Sequence, residues 1–245
     1  MQKFILSSDK RTGSHYLQTS LNSVDGIACR GESYGSGNKQ QKRIYDGWFE
    51  KMFDAPEFTK ASGFVLQCGD GGRFGYFENL RSRIKAAYGR VKIIRLFRDD
   101  LFAQYVSREL AWKRRRWVLN TWHEPLPHVT IRIEKQHMLD YVRFRYDIWQ
   151  WNLREWEGHE AITVKYEDAR DNLHAQIKRC SDFLGVPPGD PVPTTQIQNP
   201  RALDAVVVNY EEALSWLGSR RIFSENVTFG EQAPPPVPAS PTGEK

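Results

Sequence analysis

One stretch near the N-terminus constrains this chain more than any other: Lys3-Phe-Ile-Leu-Ser-Ser-Asp-Lys-Arg-Thr-Gly-Ser-His-Tyr-Leu-Gln-Thr-Ser-Leu21. Phe4, Ile5 and Leu6 form a short apolar run that predicts a buried strand. Polar residues around Gly13 and Ser14 predict a tight loop, and Tyr16, Leu17 and Leu21 then recur at helical spacing. The N–H groups of a helix's first turn point out of the helix, so a strand, loop and helix start in this order suits a phosphate or sulfate. Lys10 and Arg11 add cations to the loop, and Ser14 and His15 add side-chain donors. The Gly-Lys-Ser/Thr ending of a Walker A loop is absent, which disfavours a triphosphatase or kinase built on that motif. Small strand–turn–helix units also carry Gly and Ser for turn and cap reasons alone, so the rest of the chain has to decide.

The pattern repeats downstream. Strands are predicted at Ile27-Ala28-Cys29, with Gly31-Glu32 at its end, and at residues 63–67, 91–97 and 161–166. Helices are predicted over about 77–88, 101–117, 134–157, 173–184 (closing at Gly185) and 203–217. Residues 35–43 read as a Gly-rich polar loop, 69–75 as a turn, 118–130 as a loop and 186–200 as extended and Pro-rich. Residues 44–60, with Trp48, Phe49, Met52 and Phe53, read as a short helix or lid outside the core scaffold. Apolar strands alternating with helices predict an open, mainly parallel α/β sheet with helices on both faces. The expected organisation is a single domain over 1–230 and a disordered Pro-rich tail over 231–245. Ligands on such sheets sit at the carboxyl ends of the strands. Arg11, Glu32 and Arg98 each follow a predicted strand, so the three are expected on one edge.

Composition narrows the class. The net charge is +5 and the pI about 9.1, which suits an anionic ligand without establishing nucleic-acid binding. Lys113-Arg-Arg-Arg116 reads first as a solvated cationic turn near a helix C-terminus, where positive charge is favoured; the sharper alternative is a patch that attracts an anionic substrate. The aromatic-rich stretch at 134–157, where Arg143 and Arg145 alternate with aromatics, reads mostly as core. Cys29, Cys68 and Cys180 show neither metal-ligand spacing nor a disulfide framework, and free thiols in a reducing compartment are the expectation. No apolar run spans a membrane, no signal-peptide core precedes the first strand, and a cytoplasmic location is expected.

Four blocks in order give the chain a resemblance to the PAPS-dependent sulfotransferases, where PAPS is 3′-phosphoadenosine 5′-phosphosulfate. Arg11-Thr-Gly-Ser-His-Tyr-Leu17 is similar to that family's Arg-Ser-Gly-Ser-Thr-Leu-Leu loop, and Gly31-Glu32 to the Gly-Glu pair downstream. Ile94-Arg-Leu-Phe-Arg-Asp-Asp-Leu-Phe-Ala-Gln-Tyr-Val-Ser107 resembles its strand-to-helix block, and Val164-Lys-Tyr-Glu-Asp168 with Phe183-Leu-Gly-Val186 its late strand and turn. Gln198-Asn-Pro-Arg201 and Asn209-Tyr-Glu-Glu212 are like its C-terminal end. The resemblance lies toward the bacterial branch that sulfates carbohydrates and glycolipids, the nodulation-factor and trehalose sulfotransferases. It implies a P-loop-like sulfotransferase fold, PAPS as donor with PAP as product, and a carbohydrate or glycolipid acceptor. It further implies Arg11 and Glu32 as catalytic residues, Glu32 as general base. The donor would be held by Arg11, Thr12, Gly13, Ser14 and His15 at the 5′ end and by Arg98 and Ser107 at the 3′-phosphate, with no metal. Tyr166-Glu167-Asp168 is expected to be structural. Two positions depart from the pattern: His15 replaces a Thr, and Val65 stands where the branch often has Lys. The competing readings are a basic nucleic-acid-binding protein and a family member that binds the nucleotide without catalysis.

Overall fold

The apolar run at Phe4–Leu6 is the middle of a longer strand, β1 (Gln2–Asp9), buried from Phe4 to its end. The computed structural model describes residues 1–32, 48–68, 84–122, 124, 126–195 and 202–224. The expectations for 35–43, 69–75 and the tail fall outside these residues, as do parts of those for 44–60, 77–88 and 186–200.

Among the described residues, five strands form one sheet in the order β2 (Ile27–Glu32), β3 (Ala61–Cys68), β1, β4 (Lys92–Phe97), β5 (Ala161–Lys165), every pair parallel. A parallel sheet needs cover on both faces, which is why its inner strands read as continuous apolar runs rather than alternating ones. Phe4, Leu6, Val65, Ile94 and Leu96 meet Leu17 and Leu21 of α1 (Ser14–Asn22) on one face. Ile5, Phe64 and Ile93 point to the other face. At the carboxyl end of that second face, Phe97 packs with α3 (Leu101–Arg114) and α4 (Lys135–Glu155). The mainly parallel α/β architecture with helices on both faces is therefore the fold.

Several local readings change. Met52 and Phe53, in α2 (Trp48–Phe53), are buried with Ile5, Phe64 and Trp156; these two are core rather than lid, because the second sheet face needs covering there. The long basic helix stops at Arg114, with Arg115 in the left-handed region at φ 52°. Trp117 therefore leaves the apolar stripe and is exposed. After β5 come α5 (Tyr166–Asp171) and α6 (Leu173–Leu184), and Gly185 closes α6 at φ 74°. The stretch 203–217 is not one helix. A 3-10 turn (Leu203–Ala205) precedes α7 (Tyr210–Leu217), because the backbone between them, at Val206 and Val208, is captured by Ile131. The Asn209 side chain bonds both the N–H and the carbonyl of Ile133, while its backbone carbonyl opens α7 by accepting from the Ala213 N–H.

Candidate functional site

The connection from β1 runs through α1 on one face, toward the β2 side, and the connection from β4 runs through α3 on the other face, toward β5. The crevice between β1 and β4 is thus the point where the winding reverses, the place where open α/β sheets bind ligands. The loop Lys10–Gly13 opens at this point. Arg11 has a positive φ of 63°, and Gly13, the N-cap of α1, lies at φ 83° with no side-chain cap bond. A Cβ on Gly13 would come within 2.4 Å of Tyr166 Cδ2, so only glycine fits under that ring. Thr12 is fully buried and its hydroxyl donates to Asp9 O at 2.6 Å; it closes the turn and leaves only its backbone for a ligand. Ser14 is buried at the first position of α1, and His15 beside it is half-buried.

The structure brings Arg11 against Ser107 of α3. Arg11 Nη2 and Nε donate to Ser107 Oγ at 2.9 and 3.2 Å, and Nη1 donates to the Trp117 carbonyl at 2.6 Å. Arg98, just past β4, reaches back to the Arg11 carbonyl through Nη1 at 3.4 Å and lies over the Tyr166 ring at 4.7 Å. Its ion pair is with Glu167 at 3.8 Å, not with Asp99 or Asp100 beside it. Those two carboxylates serve elsewhere: Asp99 pairs with Lys165, and Asp100 pairs with Arg221 and caps α3 through the Ala103 N–H. Arg98 Nε is buried and makes no hydrogen bond. Arg11, Gly13, Arg98 and Ser107 thus share one crevice.

Glu32 is the last residue of β2, just past a β-bulge at Gly31. It pairs with Val65, which pairs in turn with Leu6, so its backbone lies two strands from β1 and three positions short of that strand's end at Asp9. Its side chain lies outside the described residues. Val65 is buried in the core between α1 and the sheet, so no cation occupies that position.

Sequence reasoning missed the support beneath the loop. Asp9 is wholly buried and takes hydrogen bonds from Arg145 of α4, from the Lys10 N–H at 2.6 Å and from Gln104 Nε2 at 3.3 Å. Gln104 also donates to the Lys10 carbonyl at 2.6 Å. Burial pushes the Asp9 carboxyl up from its ordinary range, and Arg145 opposes the shift. The sequence signal was Arg143 and Arg145 alternating with aromatics, and of the two the structure buries Arg145. Glu167 supports the second half of the site: its carboxylate accepts from the Asp99 and Asp100 N–H groups at 2.9 and 3.2 Å. These bonds tie the backbone after Arg98 to the residue that follows β5 by two positions.

No family model matches the chain, and no curated protein matches it in sequence. Solved structures do. The chain is similar to a sulfotransferase from Alicyclobacillus acidocaldarius, with a TM-score of 0.56 and 13% identity over 90% of this chain and 92% of that one. Two others align less well. Mouse sulfotransferase SULT7A1 complexed with PAP gives a TM-score of 0.46 and 16% identity over 77% of this chain and 61% of that one. The sulfotransferase domain of the Synechococcus PCC 7002 olefin synthase gives 0.43 and 15% over 98% and 89%. The Alicyclobacillus structure defines the class: this chain has the sulfotransferase fold.

Proposed function

We propose that this protein is a PAPS-dependent sulfotransferase acting on a hydroxyl of a carbohydrate or glycolipid. The observation that carries the proposal is the convergence of Arg11, Gly13, Arg98 and Ser107 at the switch point between β1 and β4. The residues suit a nucleotide with two separate anionic groups: a glycine-floored loop opening a helix, and the two guanidinium groups of Arg11 and Arg98. When bound, PAPS supplies an activated sulfuryl group on its 5′-phosphate. The backbone of Thr12, Gly13, Ser14 and His15 cradles that end, where the α1 dipole favours negative charge. Arg11 exchanges two neutral oxygens, Ser107 Oγ and Trp117 O, for phosphate oxygens and stabilises charge on the leaving phosphate. Arg98 and Ser107 hold the 3′-phosphate. Glu32 takes the proton of the acceptor hydroxyl as its oxygen bonds to sulfur and the bond from sulfur to the 5′-phosphate oxygen breaks.

The test is calorimetric titration with PAP on the wild type and on Arg98→Ala. Binding that weakens at least about tenfold in the variant is expected. Absence of binding to the wild type overturns the reading. The same preparation, given labelled PAPS and a panel of sugars and glycolipids, tests Glu32→Gln: PAP binding stays and transfer is lost. Normal turnover by that variant removes Glu32 as the base.

A further inference from the structure

The sequence Trp112-Lys-Arg-Arg-Arg-Trp117 spans the end of α3. Trp112, Trp117 and Trp122 are 58%, 42% and 70% exposed, and they are the only tryptophans among the exposed large apolar residues described. Trp112 and Trp117 pack edge to face, 5.2 Å between centroids at 79°, making one apolar knob on the surface. Lys113, Arg115 and Arg116 are exposed around it. No acidic residue occurs between Lys113 and Trp122. The patch adjoins the candidate site directly: Trp117 accepts from Arg11 through its carbonyl, and the Arg11 guanidinium lies 5.9 Å from the Trp117 ring.

Tryptophan is the residue that settles at the headgroup level of a bilayer, with its ring in the apolar boundary and its N–H in the wet layer. Clustered Lys and Arg beside it are drawn to anionic headgroups. We infer that this patch docks the protein peripherally on an anionic lipid surface, with the mouth of the β1–β4 crevice facing the headgroups. Charge complementarity selects this occupant. A single nucleic-acid strand stacks successive bases on ring faces that run parallel along the groove, whereas the Trp112 and Trp117 rings stand at 79° to one another. Among the described residues no helix is long and apolar enough to cross a membrane, so attachment through this patch is interfacial. Such docking favours an acceptor presented by the bilayer. Binding itself needs neither nucleotide nor turnover, so it stands or falls separately from sulfuryl transfer.

The experiment is vesicle co-sedimentation of the full chain without nucleotide. Neutral phosphatidylcholine vesicles are compared with vesicles carrying about one third phosphatidylglycerol. The expected result is binding to the anionic vesicles and at least tenfold weaker partition to the neutral ones. Trp112→Ala/Trp122→Ala and, separately, Lys113→Gln/Arg115→Gln/Arg116→Gln each lower partition to the anionic vesicles about tenfold or more. The tryptophan double variant keeps the wild-type circular dichroism spectrum and urea unfolding midpoint, which shows that it is folded. No vesicle binding by the wild type, equal partition to both compositions, or unchanged partition in both variants overturns the proposal. So does binding to a single-stranded oligonucleotide in place of vesicles.

Discussion

At the scale of single residues, the loop after β1 is held by two different constraints. Gly13 meets one of them: it lies at φ 83° and directly beneath the Tyr166 ring. A methyl group there strains the backbone and collides with an aromatic ring. Gly13→Ala is expected to cost about 1–3 kcal/mol of stability and to lower PAP affinity about tenfold or more, read by urea unfolding and calorimetry. Wild-type affinity in a stable Gly13→Ala protein would mean that the Gly13–Tyr166 contact does not shape the donor site. Asp9 meets the other constraint. It receives a guanidinium, a backbone N–H and an amide, so the turn is fixed from inside. Arg145 was visible in the sequence as an arginine among aromatics. Its partner lies 136 residues away, and nothing local links the two.

At the scale of elements, α5 acts as a brace. Tyr166 lies over Gly13 and beneath Arg98, and the next residue, Glu167, holds the two N–H groups that follow Arg98. One short helix therefore positions both halves of the candidate site. Glu167→Gln keeps the shape but removes the charge facing Arg98 and leaves one acceptor oxygen for two donors. The expected outcome is a loss of about 1–2 kcal/mol of stability and a severalfold fall in PAP affinity. If PAP affinity is unaltered, Glu167 is only a cap for the start of α3. The boundaries of α3 and α7 show where local pattern yields to distant partners. Arg115 turns left-handed and ends α3 early, and Ile131 takes the backbone that would have joined 203–205 to α7.

At the scale of the whole molecule, the sheet buries all three cysteines as free thiols. Burial pushes the Cys68 and Cys180 thiols up to about 12 and raises Cys29 as well, from an ordinary value of 9.0. The unfolded chain releases these protons near pH 9 while the folded chain keeps them. The thiol contribution to stability is therefore complete below pH 9 and is lost as pH rises from 9 toward 12. The unfolding midpoint is expected to fall progressively above pH 9. A thiol reagent at neutral pH should label no cysteine in the native protein and all three after unfolding. Rapid labelling of the native protein would contradict the burial of these side chains.

The sequence by itself determined the α/β class, the positions of the five described strands and the strand–loop–helix at Arg11–Ser14, because period and turn chemistry are local properties of neighbouring residues. It also placed Arg98 just beyond a strand. Only the tertiary structure decided that Arg11 meets Ser107 and the Trp117 carbonyl. The same holds for Arg98 answering Glu167 rather than its own neighbours, for Asp9 and Arg145 locking the loop, and for Met52 and Phe53 completing the core. Each of these pairs residues far apart in sequence. Strand order and helix docking bring them together, and local spacing carries no record of either.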